Sequence, residues 1–346
     1  MTASASPFDQ YLDPVRHYLR QQHWDDVPAM NGHTFTVSPL AGGEYNLNYL
    51  LTSSTQKLVF RVNMASQIDR ADQIVYEFKT LQLLQDSGVT PLPVFVDDSR
   101  SLIDRGISIM EYLPGNPLDY HLDLAGAART LSIIHQLQID EAKNHLIVEK
   151  QPLSLIFNEC AGLLDGYFNS DLADRAIHSF LLEVKAWAES ARAQEQYFLD
   201  DPWFCIVNTE INSANFIVNR ARQSTHLIDW EMPRWGDPST DLCHFCSPLT
   251  TLWKTDFRFS PEGLDFFIRE YKQNIRSAHL QDTLAERMRR KFPFVLLRGI
   301  SWSAMAWVAY QTGYQGMRNE DTWHKINQYM ELDFMRSLFE PFMMVS

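Results

Sequence analysis

Two carboxylates and one amide follow short strand-like runs in the second half of the chain. Glu210 and Asn215 follow the run Phe204–Val207, and Asp229 follows the run His226–Ile228. Neighbouring strand ends would bring the three side chains together. Oxygen donors of this kind suit Mg²⁺, which usually takes one or two protein carboxylates plus substrate phosphates. Phosphoryl transfer needs little more than a cation, metal donors and a carboxylate directed at the nucleophile, so the pattern indicates that chemistry.

Three consecutive motifs lie in this region: NTEINSAN at 208–215, IDWE at 228–231 and GDPSTDL at 236–242. They resemble those of the aminoglycoside phosphotransferase and choline kinase family of small-molecule kinases. That family carries His-Gly-Asp-Leu-x-x-x-Asn, then Ile-Asp-Trp-Glu, then Gly-Asp-Pro-x-x-Asp-Leu. The resemblance implies an enzyme that uses ATP and Mg²⁺ to phosphorylate a hydroxyl of a small-molecule acceptor. It implies that Asn215 and Asp229 bind the metal and that Glu210 occupies the place of the catalytic aspartate.

The first half of the chain resembles the nucleotide-binding part of the same family. In the segment 40–52, LAGGEYNLNYLLT, Gly42 and Gly43 would offer backbone N–H groups to the phosphates. Arg61 stands on the next strand, where the family has a phosphate-binding Lys or Arg. Glu77 follows on a helix, so the two residues resemble the strand–helix ion pair of the family.

The segment 108–115, SIMEYLPG, resembles the hinge of that family. Backbone groups of Glu111 and Leu113 are therefore expected to meet the adenine. The resemblance covers about residues 35–245, and the helices that follow carry no matching motif.

The departures from the family pattern fall in the catalytic loop, at Asn208, Thr209 and Glu210. A glutamate extends its carboxylate by about 1.5 Å beyond that of an aspartate. A misplacement of about 1 Å can cost on the order of 100-fold in rate. An active kinase and a pseudokinase without transfer activity both fit. A metal-dependent hydrolase using Glu210 and Asp229 leaves Arg61 unexplained.

Other residues of the motif region have structural interpretations. We expect Asn208 to brace the catalytic loop through its side chain, and Asp241 to brace the same loop or to cap the next helix. Cys243 and Cys246 have the C-x-x-C spacing of a zinc site, but no second pair of ligands has matching spacing, which favours ordinary thiols on a helix. The C-terminal aromatic residues suit a core, and the resemblance implies that some of them line an acceptor pocket: Trp302, Trp307 and Tyr310.

The element pattern predicts an α+β, bilobal fold, and the resemblance implies that this fold is of the protein-kinase-like type. A β-rich nucleotide-binding lobe is expected over 1–115 and a mainly helical lobe over 116–346, with the catalytic loops and the acceptor pocket in the second. Apolar spacing predicts a helix over about 70–86, with Asp69 as its cap and Gly88 as its end. Further helices are predicted over about 8–22, 124–136, 153–168, 172–194, 261–277, 283–311 and 323–339.

Composition excludes several classes of protein. The 346 residues are 45% hydrophobic, which rules out disorder for most of the length, and Asp and Glu outnumber Lys and Arg by 43 to 30. A net charge of −13 disfavours nucleic acid and anionic membranes as partners and tolerates a cationic acceptor. Four cysteines, no long apolar run and no signal-type N-terminus predict a cytoplasmic protein. The sequence leaves open the acceptor, the choice between ATP and GTP, and the oligomeric state.

Overall fold

The computed structural model describes residues 7–43, 45–313 and 320–344. The chain divides into two compact units, each built from two stretches of sequence. The first unit contains Met1–Ile147 and Ala214–Pro233, and the second contains Val148–Ser213 and Arg234–Ser346. The predicted division of the chain into two lobes between residues 115 and 116 stays a prediction.

The first unit begins with one helix and a five-stranded antiparallel sheet. Their bounds are α1 Pro7–Gln21, β1 Thr36–Gly42, β2 Asn46–Thr52, β3 Lys57–Asn63, β4 Pro93–Asp97 and β5 Ile107–Glu111. The strands lie in the order β1-β2-β3-β5-β4. Leu58, Phe60 and Val62 alternate along β3 and join the apolar core that includes α1. Because side chains alternate between the faces of a strand, Arg61 points to the opposite face.

Helix α2 (Gln73–Leu84) lies between β3 and β4 in the sequence and carries Glu77. A short 3₁₀ turn follows it, and Gly88 ends the turn at φ 68°, as predicted. The prediction that Asp69 caps the helix was wrong. Asp69 has φ 56° in the preceding turn, and the helix starts only after Asp72. A left-handed residue interrupts a right-handed helix, which moves the helix start toward the C-terminus.

The first unit also contains helix α3 (Leu124–His135) and a second sheet, in the order β10-β9-β6. Strands β9 (Phe216–Asn219) and β10 (Ser224–Leu227) form a hairpin, and β6 is the short strand Asn116–Pro117. Past the open end of the hairpin, the N–H of Ile228 donates to the carbonyl oxygen of Asn215 at 2.8 Å. The hairpin therefore sets Asn215 and Asp229 on adjoining backbone segments.

The second unit is mainly helical. Strand β8 (Cys205–Val207) pairs antiparallel with β11 (Arg234–Gly236), and β7 (Ile147–Val148) lies at the boundary between the units. The helices are α4 Ser154–Phe168, α5 Arg175–Ala191, α6 Gln196–Asp200, α7 Ser239–Cys246, α8 Pro248–Lys254, α9 Pro261–Gln273, α10 Ala278–Thr312, α11 Glu320–Tyr329 and α12 Leu332–Met343. The prediction of one helix over 323–339 was wrong, because Glu331 is extended (φ −69°, ψ 129°) and separates α11 from α12.

Helix α10 is long and apolar enough to cross a membrane by length and composition, but 56% of its most apolar window is buried inside the protein. It also carries buried cations that make ion pairs. Arg287 lies 2.6 Å from Asp237, and the ammonium of Lys291 lies 3.6 Å from Glu149. Charges on that helix are thus satisfied within the protein, which is the behaviour of a core helix.

Candidate active site

Arg61 is the centre of the polar cluster in the first unit. Its guanidinium donates to Glu77 Oε2 at 2.7 Å, to Asn48 Oδ1 at 3.0 Å and to Asp229 Oδ1 at 3.4 Å. Only 10% of the side chain is exposed. Burial alone would lower the pKa of Arg61, but the carboxylates of Glu77, Asp229 and Glu231 raise it above its ordinary value. The guanidinium is therefore a fixed positive charge with donors pointing in three directions.

Helix α2 is fastened to the segment that carries Asp229. The side-chain amide of Gln73 donates both to Glu77 Oε1 at 3.0 Å and to the carbonyl oxygen of Glu231 at 2.7 Å. The hydroxyl of Tyr76 donates to the carbonyl oxygen of Pro233 at 2.6 Å. These hydrogen bonds fix the position of Glu77 relative to the residues that follow β10, beside Arg61.

Asp229 follows β10 directly and has φ 67°, a left-handed conformation that Asp adopts more readily than most residues. Its side chain is 39% exposed, so one carboxylate oxygen meets Arg61 while the group stays open to solvent. Among the described residues no group of three or more His, Cys, Asp or Glu is arranged to hold a metal ion. One carboxylate with one amide, Asp229 with Asn215, fits Mg²⁺, which fills its other positions with waters and substrate phosphates.

Glu231 is a third carboxylate beside Arg61, and we did not predict it as a site residue. Burial, and then the charge of Asp229, raise the pKa of Glu231 to about 8. The side-chain amide of Asn46, on β2, donates a hydrogen bond to the carboxyl group of Glu231. Its place in the Ile-Asp-Trp-Glu motif was the available signal. With this raised pKa, Glu231 keeps its proton at neutral pH, and a cation bound beside it would lower that pKa by favouring the ionised carboxylate.

The two glycines of the 40–52 segment have different surroundings. A Cβ on Gly42 would lie 2.9 Å from the ring of Phe8, so a larger residue there would require that ring to shift. Gly43 has open space around it, and its N–H donates to the carbonyl oxygen of Asn46 at 3.0 Å. Donation from Gly43 to a phosphate therefore requires this turn to open. Residue 44 of the segment lies outside the described residues.

The hinge segment follows β5. The N–H of Glu111 donates to the carbonyl oxygen of Leu92 at 2.9 Å, so of the two backbone groups of Glu111 only the carbonyl is a candidate for a ligand. In the described part of the chain, no hydrogen bond involves the backbone of Leu113. One carbonyl and one N–H, two residues apart, can pair with the edge of a purine.

The catalytic-loop residues lie in the second unit, where backbone hydrogen bonds fix their path. Asp241, on α7, accepts from the N–H groups of Asn208 and Thr209, both at 2.8 Å. The side-chain oxygen of Asn208 accepts from the N–H of Glu210 at 3.2 Å. Asn208 and Asp241 thus brace the loop as predicted. The alternative that Asp241 caps α7 is wrong, since the cap position is Pro238.

His244 is a further support of this loop that we did not predict. Its Nδ1–H donates to the carbonyl oxygen of Ile211 at 3.0 Å, one residue after Glu210. Burial lowers the pKa of His244 to about 4, although its bond to Ile211 opposes the shift. The position of His244 within the C-x-x-C segment was the available signal. The imidazole is therefore neutral at physiological pH and acts as a hydrogen-bond donor.

The remaining sequence candidates pack into the interior of the second unit. The thiols of Cys243 and Cys246 are buried, and burial raises the pKa of each. Trp302, Trp307 and Tyr310 pack with the core around α10, and the indole N–H of Trp307 donates to Asn327 at 3.2 Å. A contribution of these aromatic residues to an acceptor pocket stays a prediction.

A groove of about 600 Å³ lies in the first unit beside α3 and the β9–β10 hairpin. None of Arg61, Glu77 or Asp229 lines it. The groove is therefore distinct from the cluster around Arg61.

The structure brings Arg61, Glu77 and Asp229 into contact in the first unit, and it pairs the backbone of Asn215 with that of Ile228, the residue before Asp229. Glu210 belongs to the second unit.

The model of the phosphotransferase enzyme family matches residues 36–281, about seven tenths of the chain. The chain belongs to that family. The predicted family membership is confirmed. No curated protein matches the sequence.

Solved structures with the same fold include three small-molecule phosphotransferases. A Ralstonia eutropha protein provisionally assigned as an aminoglycoside phosphotransferase has a TM-score of 0.66 at 15% identity, covering 93% of this chain and 96% of that one. Ethanolamine kinase from Plasmodium vivax has a TM-score of 0.64 at 13% identity (96% and 90%). Spectinomycin phosphotransferase, solved with ADP and spectinomycin, has a TM-score of 0.59 at 13% identity (92% and 99%). The predicted α+β, protein-kinase-like fold class is confirmed.

The burial of Arg61 against Glu77 generates a stability prediction. Removing one partner of a buried ion pair leaves an unpaired charge, which typically costs about 3–5 kcal/mol, so Arg61→Met should lower the free energy of unfolding by that amount. The double variant Arg61→Met/Glu77→Met should recover at least about 1 kcal/mol, because Glu77 is no longer buried without its partner. Urea unfolding measures both. Arg16→Met, which breaks an exposed pair with Asp13, is the control and should change little. If the effects of the two substitutions on the free energy of unfolding were strictly additive, Arg61 and Glu77 would not form a stabilising ion pair.

The lowered pKa of His244 predicts a pH dependence of stability. The folded state binds this proton less readily than the unfolded state, so stability is full above about pH 6.5 and falls as the pH drops toward 4. The loss attributable to His244 should approach about 3 kcal/mol at pH 4. His244→Asn keeps a donor near the Nδ1 position without the titration, and should flatten the curve. Parallel unfolding curves for the two proteins over pH 7 to 4 would exclude this role.

Proposed function

We propose that the protein is an ATP- and Mg²⁺-dependent phosphotransferase that acts on a hydroxyl of a small molecule. The observation that carries the proposal is the contact of one guanidinium with two carboxylates from different parts of the fold. Arg61 on β3 meets Glu77 on α2 and Asp229 after β10. A cation fixed by a helix carboxylate and placed against a candidate metal ligand is the arrangement that phosphoryl transfer from a nucleotide requires. Membership of the phosphotransferase enzyme family supports the same reaction class.

Each residue has a role in this proposal. Arg61 holds the α- and β-phosphates, and Glu77 orients Arg61. Asn215 and Asp229 hold Mg²⁺, which, when bound, neutralises charge on the phosphate oxygens. The carbonyl of Glu111 and the N–H of Leu113 hold the adenine, while the turn at Gly42 and Gly43 covers the phosphates.

Glu210 is the proposed catalytic carboxylate. It orients the acceptor hydroxyl and accepts its proton as the hydroxyl oxygen forms a bond to the γ-phosphorus. The bond between that phosphorus and the β–γ bridging oxygen breaks, and ADP leaves with the electron pair. Because the transition state of such reactions is loose, the position of the carboxylate matters more than its strength as a base.

An aminated alcohol is the acceptor class that we favour, such as an aminoglycoside, choline or another amino alcohol. The net charge of −13 favours a cationic partner. Ethanolamine and spectinomycin appear in the names of two proteins of the same fold. The proposal includes a cytoplasmic location, with neither nucleic acid nor membrane as a partner.

A pseudokinase is the second candidate, and the loop 208–210 is the observation that favours it. Asn, Thr and Glu replace the His, Gly and Asp of the family pattern. Such a protein would keep the nucleotide site around Arg61 and transfer no phosphoryl group.

Replacing Asp229 tests the metal assignment. Asp229→Ala should reduce Mg²⁺-dependent ATP turnover, measured with a panel of amino alcohols as acceptors, by at least about 100-fold, since metal stabilisation of the transition state amounts to several kcal/mol. Asp13→Ala, an exposed carboxylate of the same unit, is the control and should keep full turnover. Turnover of Asp229→Ala equal to that of the control would refute the assignment.

Shortening Glu210 separates the two candidates. If the loop is built around the longer acid, Glu210→Asp withdraws the carboxylate and should lower kcat on the order of 10- to 100-fold. Initial rates at saturating ATP measure the change. A gain in turnover would show a site impaired by the extra methylene and would favour the pseudokinase.

A further inference from the structure

Thr209 has an unusual backbone conformation. Its φ is 74°, in the left-handed region that favours glycine, and the family pattern has Gly at this place. A β-branched residue is strained there, because its Cβ crowds the backbone. Such strain persists only where the surroundings hold the residue in place.

Hydrogen bonds hold both sides of Thr209. Its N–H donates to Asp241 Oδ1 at 2.8 Å, as described above. Its carbonyl oxygen accepts from Nη1 of Arg298 at 3.3 Å. The second bond acts on the peptide that joins Thr209 to Glu210, so it sets the direction in which the Glu210 backbone leaves the strained residue.

Arg298 is itself anchored. It lies on α10, and its Nε donates to Glu159 Oε1 on α4 at 3.0 Å. Its side chain is 23% exposed. Burial alone would lower the pKa of Arg298, but the charges of Glu159 and Glu210 raise it. A permanent positive charge thus acts on the carboxylate of Glu210 from a fixed position on a long helix.

We propose that Arg298 is a positioning residue for Glu210. It holds the strained Thr209–Glu210 peptide through its bond to the Thr209 carbonyl, and it attracts the Glu210 carboxylate by its charge. A glutamate has one more rotatable bond than an aspartate, so a fixed charge nearby restricts its position. A loop with glycine at 209 would carry less strain and would need this support less. This inference rests on the proposed function.

The test compares kcat and the KM for ATP in four proteins: the wild type, Arg298→Ala, Thr209→Gly and the double variant. Arg298→Ala should lower kcat about 10- to 100-fold and change the KM for ATP by less than about threefold. Arg298→Lys, which can still donate to the carbonyl, should lie between wild type and Arg298→Ala. With glycine at 209 the loss caused by Arg298→Ala should be at least about threefold smaller.

Arg289→Ala is the matched control. It removes another arginine of α10 whose salt bridge, to Glu286, is exposed, and it should leave kcat unchanged. A loss confined to KM, a kcat equal to that of the control, or an equal loss in both backgrounds would overturn the inference.

Melting temperatures of the same four proteins separate failure of this inference from failure of the proposed function. Thr209→Gly should raise the melting temperature by relieving strain, and Arg298→Ala should lower it by less in the glycine background than in the wild type. If the wild type phosphorylates no acceptor, the melting temperatures still test the contact. Changes from Arg298→Ala and Thr209→Gly that do not add in the double variant would support the bond between Arg298 and the loop. Additive changes overturn the inference even in an active enzyme.

Discussion

One arginine buried among three carboxylates is the constraint on which the first unit depends. Arg61 contacts Glu77 and Asp229, and Glu231 adds a third acid nearby. Burying an ion pair contributes little stability, because the desolvation of both charges opposes their attraction. The cluster instead leaves an excess of negative charge and a cation with directed donors. Phosphates with a divalent cation offer the charge that complements both, which connects the electrostatics of the unit to its proposed chemistry.

The second unit fixes the path of the catalytic loop. The loop that carries Glu210 is held through its backbone, by Asp241 on one side and by His244 and Arg298 on others. Backbone restraint tolerates a change of side chain in the loop better than restraint of the side chains themselves would. This explains how a glutamate can stand where the family has an aspartate while the path of the chain is kept.

Local rules predicted part of this arrangement, and long-range contacts account for the rest. Alternation along β3 places Arg61 opposite the core, and the motif spacing indicated Asp229. The motif that contains Asp229 also pointed to Glu231, whereas the contacts of His244 and Arg298 are made with residues distant in sequence, which no local pattern identifies. The positive φ of Thr209 depends on its partners Asp241 and Arg298. Two predicted helix boundaries were wrong for a similar reason. The backbone angles at Asp69 and at Glu331 interrupt the helices, and the spacing of apolar residues does not reveal those angles.

A thermal-shift titration of the wild-type protein with ATP, with and without Mg²⁺, tests the central claim most directly. A ligand at 100 times its dissociation constant stabilises the folded state by about 2.7 kcal/mol, which is readily seen as a rise in the melting temperature. The cluster around Arg61 predicts a rise with ATP that is larger when Mg²⁺ is present, and no comparable rise with Mg²⁺ alone. An unchanged melting temperature at saturating ATP, with or without the metal, would contradict a nucleotide site at Arg61.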